Sequence, residues 1–225
     1  MTVSHIANFR SNASEVLQLL KIHGKISGRT RGRKYDVEVL NKSGIVLLVA
    51  CWEAFVEDVA SSAFKFLLDN APDPTAVPSR VLISAARRLK RNKDERHVWT
   101  LAGEGWRAHL RRFRSDQVAD FHNPGQENVD GLFESLLDLK AVSKSWKWKG
   151  ASNESVRKRL NHLIGVRGEI AHLVSAEKSV RKAYVKTSVN LIIRISAITS
   201  NRVSDHVCRL TDERPWQYYK HGSAS

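Results

Sequence analysis

The stretch Ile45-Val46-Leu47-Leu48-Val49-Ala50-Cys51-Trp52-Glu53-Ala54-Phe55, prolonged through Val59, Ala63, Phe64, Leu67 and Leu68, decides the fold class. Its first five residues alone would pass for a buried strand. The apolar positions after them recur at helical spacing, and from Val37 to Asp69 there is no proline and one glycine, Gly44. Length and periodicity therefore favour one long central helix over a strand. Three carboxylates, Glu53, Glu57 and Asp58, interrupt it. Glu53 and Glu57, four residues apart, share a face, where they are either solvated or offered to Arg167 and His172 of a later helix.

Outward from this helix, the chain reads as further helices. Ser4 is placed to cap a first one carrying Ile6, Phe9, Ala13, Val16, Leu17 and Leu20, ending near Gly24. Lys25 to Lys34, with Gly28 and Gly32, reads as a basic loop that either touches phosphates or is a solvated linker. Pro72, Pro74 and Pro78 end the central helix, and Ser79 starts a short one running to Arg91. Val98 to Phe121 is helical with a break at Gly103 and Gly105, and Arg107, Arg111 and Arg114 form one basic stripe on it. After the turn residues Pro124 and Gly125, Asn128 is expected to cap a helix over Val129 to Leu139. Ser143 to Gly150 is irregular, with Trp146 and Trp148 among Lys144, Lys147 and Lys149. Such a segment either stacks bases while its lysines hold phosphates, or staples a loop to the core. A helix from Asn153 through His172 and a last long one, capped by Ser175 and packed through Val180 to Val207, complete the pattern. The sum is one all-α domain over residues 1–225, a bundle of six or seven helices with two long core helices. Its end, from Gly222, is expected to be disordered.

The balance of 37 Lys and Arg against 23 Asp and Glu gives a formal charge of +14 and a pI near 10.1. An excess of that size attracts polyanions by counterion release, so RNA, DNA or an acidic protein is the natural partner. Cys51 and Cys208 lack metal-ligand spacing and fall in apolar helical patterns, as buried thiols of a reducing cytoplasm do. Met1 through Ala13 has no long apolar core, and Ile45 through Trp52 is too short to span a bilayer before Glu53, so the expectation is a cytoplasmic protein off the membrane. There is no GxxxxGK(S/T) loop, GxSxG elbow, HExxH pair or cysteine cluster, which leaves nucleotide, serine and metal hydrolysis without support.

What remains is acid–base chemistry on a phosphodiester, and Arg167-Gly168-Glu169-Ile170-Ala171-His172 is suited to it. With 21 Arg and nine His, chance alone yields about 0.8 pairs at this spacing; the chain has two, the other being Arg157/His162. Arg157 opens a charged run that reads as a solvated first turn, whereas Ile170 to Leu173 is largely apolar and sets His172 at the edge of a buried face. Five helical steps put the Arg167 and His172 side chains roughly 140° apart around the axis and about 7.5 Å apart along it. A complete site is therefore expected to draw on a second helix or a second subunit.

The long apolar helix Ile45 to Phe55, the loop His122-Asn123-Pro124 leading into Asn128 to Phe133, and the closing Arg167 to His172 together resemble the RiboL-PSP-HEPN branch of the HEPN superfamily. The likeness runs from about Val37 to Ile198. It implies an all-α bundle, usually a homodimer that brings two such motifs together, with metal-independent endoribonuclease activity, no cofactor, and a toxin–antitoxin or phage-defence setting with an antitoxin or other defence partner. By that resemblance Arg167 would hold the scissile phosphate, and His172 would be general base or general acid. Glu169 or Glu53 would orient the imidazole, and Arg107, Arg111, Arg114, Lys147, Trp146 and Trp148 are candidates for binding RNA. Many members carry a polar residue, often Asn, after the Arg. Here it is Gly168, which keeps open a second reading, a non-catalytic basic module that binds nucleic acid or an acidic partner.

Overall fold

The computed structural model describes residues 4–27, 37–90, 95–173 and 179–219. The capping residue Ser175, most of the basic loop and the end from Gly222 lie outside these. Among the described residues there are seven α-helices and no strand: α1 (Ser4–Ser27), α2 (Glu38–Asn70), α3 (Ser79–Leu89), α4 (Gly105–Ala119), α5 (Gln126–Leu137), α6 (Asn153–Leu173) and α7 (Lys182–Thr211).

Helix α2 is the axis. It is buried on most sides, with Ile45, Leu48, Trp52, Val56, Val59, Ala60, Ala63 and Phe64 wholly enclosed, as an all-round apolar helix must be in water. By length and hydropathy alone it would cross a membrane, but α1, α4, α5, α6 and α7 pack on it instead. Helix α1 runs back along it, with Asn8 donating to Asp58 at 3.1 Å. Helix α7 runs alongside in the same direction, Val185 lying near Gly44 at one end. A Cβ on Gly44 would come within 3.2 Å of a Val185 methyl, so the glycine sets the close approach of the two long helices. Further along α7, Ser200 and Ser204 turn instead to the C-terminal segment, Ser200 Oγ accepting from Trp216 Nε1 at 3.0 Å and Ser204 Oγ donating to Trp216 O at 2.9 Å.

Several boundaries differ from the sequence reading for local reasons. Helix α1 passes through Gly24 to Ser27, so the first residues of the expected basic loop are helical. The segment before α4 is a 3-10 turn over Glu95–Leu101, and the break falls at Gly103, whose φ is +57°. Gly105 cannot be replaced without moving backbone, since a Cβ there would sit 1.8 Å from the Thr100 carbonyl oxygen. Helix α5 starts two residues before Asn128, with Gly125 as its N-cap. Asn128 instead clasps the preceding loop, its Nδ2 donating to His122 O at 2.9 Å and Asn123 O at 2.8 Å.

His5 is fully enclosed between Phe55 and Trp216, with Nε2 at 3.2 Å from Ser200 Oγ. Trp216 itself is tied to α7 through its Nε1 bond to Ser200 Oγ, 3.0 Å. Burial drives the His5 imidazole down to about 4, opposed in part by Asp58. The unfolded chain therefore binds a proton the native state refuses. Stability from this residue is complete above about pH 6.5, is lost as pH falls, and levels off below about 4. The loss is about 3 kcal/mol. Urea denaturation at pH 7.5 and pH 4.5 should record it, and His5→Gln should flatten that part of the pH dependence.

Candidate active site

Helix α6 opens on Asn153, whose Nδ2 donates to Ser143 O at 2.6 Å, and buries Val156, Leu160, Leu163 and Val166. Asn161, Ile164, Gly165, Gly168 and His172 follow a different stripe, spaced three or four apart, and all line one cleft. That stripe spans about 100° of the helix surface, and Arg167 lies roughly 100° from Gly168 on its flank. The length of its side chain makes up the angle, so Arg167 lines the same cleft as His172. The 140° separation that argued for a second helix is thus partly spanned within one.

The second helix is also present. The facing wall consists of Asn123, Gly125 and the first turn of α5, Gln126, Glu127 and Asn128, enclosing about 620 Å³. Asn161 Oδ1 accepts from Gln126 N at 3.3 Å, and Arg157 Nε donates to the Gln126 side chain, which fixes the start of α5 against α6. The N–H groups of Glu127 and Asn128 have no carbonyl of their own helix to meet, and with the helix dipole they favour an anion at this end. Asn123 turns the loop at φ +55°, and the buried Trp52 holds it down through Nε1 to Pro124 O, 2.8 Å.

The two named side chains differ in setting. Arg167 is half-buried, its Nε enclosed without a hydrogen-bond acceptor, an uncommitted donor of the kind native interiors seldom keep. His172 is exposed, as is Ala171, so the expected buried edge is open ground. A half-buried guanidinium, an exposed imidazole and a helix N-terminus around one cleft can hold a phosphodiester and move a proton on it. Glu127 is the one carboxylate among the lining residues.

The remaining candidates fall elsewhere. Glu53 lines a separate cleft with Glu57, Arg114 and His122, whereas His172 lines the first. Glu169 is half-buried and outside the cleft, beside Tyr184, whose phenol is pushed up by burial first and by Glu169 to a lesser extent. Arg107 is engaged within the fold. It pairs with Glu104, donates to Leu68 O at 3.3 Å and lies over the Trp106 ring at 4.4 Å. Trp146 is wholly buried, with Nε1 on Thr199 Oγ1 at 2.9 Å, so it cannot stack a base. Trp148 is partly buried, one ring face covered by Arg194 at 5.2 Å. Arg111 and Lys147 are exposed. The other Arg/His match is spent, Arg157 on Gln126 and His162 edge-on to Tyr184 at 5.7 Å. Asn161, Gln126, Glu127 and the clasp made by Asn128 were missed; the one sequence signal for any of them is that Asn161, Gly165, Gly168 and His172 share a helical stripe.

The chain is thus an all-α bundle in which a guanidinium and an imidazole line one cleft opposite a helix N-terminus. The RiboL-PSP-HEPN family profile matches residues 7–205, and the chain belongs to that family. The membership ties it to the HEPN superfamily, whose roles are RNA-related and nucleolytic. No curated protein and no solved structure matches it.

Proposed function

We propose that the protein is a metal-independent endoribonuclease acting in the cytoplasm as a toxin or phage-defence effector. The observation that carries this is the convergence of Arg167 and His172 on one cleft opposite the start of α5. Arg167 grips two oxygens of the scissile phosphate and stabilises the charge that builds on them. His172 takes the proton of the 2′-hydroxyl, whose oxygen attacks phosphorus and expels the 5′-oxygen. The products are a 2′,3′-cyclic phosphate and a 5′-hydroxyl. One imidazole cannot serve attacking and leaving oxygens at once, so the exposed His172 is paired with its counterpart in a second copy of the chain. Purified protein in EDTA should cut RNA, leave those ends, and spare DNA and a strand 2′-deoxy at the cleavage position. Salt-sensitive RNA binding without cleavage would instead favour the non-catalytic module.

That second reading rests on Gly168, which lines the cleft at the position where the family resemblance implies a polar residue. A Cβ at 168 would meet nothing within 4 Å, so the missing group can be restored. Gly168→Asn is expected to fold at least as well, since glycine inside a helix costs about 0.5–1 kcal/mol relative to alanine and asparagine lies between the two. It should raise the cleavage rate several-fold. Thermal melts and initial rates on one RNA check both, and a slower, well-folded variant would count against a transition-state role for that position.

A further inference from the structure

Across the loop from the Arg167/His172 cleft lies a second one of about 410 Å³, lined by Glu53, Glu57 and Ser61 of α2, Arg114, Ser115, Val118 and Ala119 of α4, and Phe121 and His122 of the loop. Phe121, Val118 and Ala119 give it an apolar side. Its polar groups are uncommitted. Among the described residues, the carboxylates of Glu53 and Glu57, the Arg114 guanidinium and the His122 ring have no hydrogen bond or ion pair, whereas Arg80, Arg107 and Arg214 are all paired. Two unpaired carboxylates one helical turn apart repel each other. The Glu57 carboxyl registers it, held above the usual carboxylate range by burial first and then by Glu53 and Asp58, with His122 opposing.

The carboxylate pair repels phosphate, and among the described residues no three His, Cys, Asp or Glu side chains are grouped to hold a metal ion. A flat ligand edge rich in N–H donors would complement the pair. Guanine presents two such donors side by side, N1–H and the 2-amino group, matched to one carboxylate. Its O6 and N7 accept from an arginine. Adenine puts an acceptor beside its amino group, and each pyrimidine offers a single donor position. The volume suits one purine nucleoside. His122 belongs to this cleft and Asn123 to the other, so consecutive Cα atoms, about 3.8 Å apart, divide the two. Trp52 and Phe121 pin that ridge from beneath.

We propose that this second cleft reads a base, taking the Watson–Crick edge of an unstacked guanine from the RNA strand whose phosphate lies against Arg167. Glu57 and Glu53 accept from the base, Arg114 donates to its far edge, and the apolar side packs its ring face. The inference rests on the nuclease reading for its strand, yet it can be tested apart from cleavage. Titration calorimetry with guanosine, adenosine, cytidine and uridine, ligands without phosphate, should show guanosine bound about tenfold or more tightly than the others. Glu57→Gln should remove most of that preference, and Glu53→Gln part of it, while His172→Ala leaves it unchanged. Circular dichroism confirms that each variant is folded.

Equal binding of the four nucleosides overturns the proposal, as does a preference that survives both glutamine variants or tighter binding of methylguanidinium than of guanosine. Wild-type protein that cuts RNA with no bias toward guanine beside the break overturns it while leaving Arg167 and His172 in place. Selective guanosine binding by a protein that never cuts RNA does the reverse, supporting the base cleft and removing the nuclease.

Discussion

His172→Ala is expected to lower the RNA cleavage rate by about 10²- to 10⁴-fold, the usual contribution of a general acid or base, and to leave the fold unchanged. The side chain is exposed and has no hydrogen-bond partner among the described residues. Its removal from the last turn of α6 therefore forfeits at most a helix-dipole contribution of about 0.3–1 kcal/mol. That separation of effects makes the variant informative, because a lost rate cannot be blamed on a lost fold.

Arg167→Ala should cost about 10²- to 10³-fold through the missing charge on the developing dianion. Arg167→Lys should recover only part of this, since an ammonium holds one oxygen where the guanidinium fork holds two. RNA binding should separate the pair as well. His172→Ala keeps the salt dependence of binding, whereas Arg167→Ala lowers its slope by about one phosphate contact. If the two act on one transition state, the double variant should be little slower than the worse single one. Single-turnover cleavage in EDTA, with filter binding across a salt series, measures all of this. Undiminished cleavage by either alanine variant would remove the assigned site.

How far the residues alone disclose this arrangement depends on how local the deciding interactions are. Helix α2 is legible because its apolar run is too long and too regularly spaced for a strand, and α6 because its periodicity survives from Asn153 to His172. The Arg167/His172 pair is legible as chemistry. The cleft is not, because its other wall begins about forty residues earlier in the chain and is tied to α6 through Asn161 and Arg157. The reading of Asn128 fails for a related reason. An asparagine in a first helical turn can cap forward or clasp backward, and the left-handed Asn123 puts two loop carbonyls within its reach. Arg107 and Trp146 show the limit on charge and aromatic counting. Each matches a nucleic-acid contact by type, and each is consumed by a partner distant in sequence, Leu68 O for one and Thr199 for the other.

Trp52 is where fold and site meet, and its replacement should have the largest effect on stability. The side chain is wholly enclosed, stacked on Phe55 at 5.9 Å and edge-on to Trp146 at 6.0 Å between ring centroids. Trp52→Ala is expected to cost about 3–5 kcal/mol, the range for truncating a buried aromatic, a large part of the 5–15 kcal/mol that holds a typical domain together. Trp52→Phe is the finer probe. It keeps most of the apolar bulk but leaves the Pro124 carbonyl without its donor, at a cost of about 1–3 kcal/mol. Pro124 has no N–H of its own to anchor it, and it sits in the loop whose His122 faces one cleft and whose Asn123 and Gly125 face the other. Cleavage by Trp52→Phe should therefore fall several-fold even at temperatures where urea titration shows it fully folded, with guanosine binding weakened in parallel. Wild-type rates and nucleoside affinities in a variant destabilised as expected would mean that this hydrogen bond supports the fold alone, and that the ridge between the clefts is held by the Asn128 clasp.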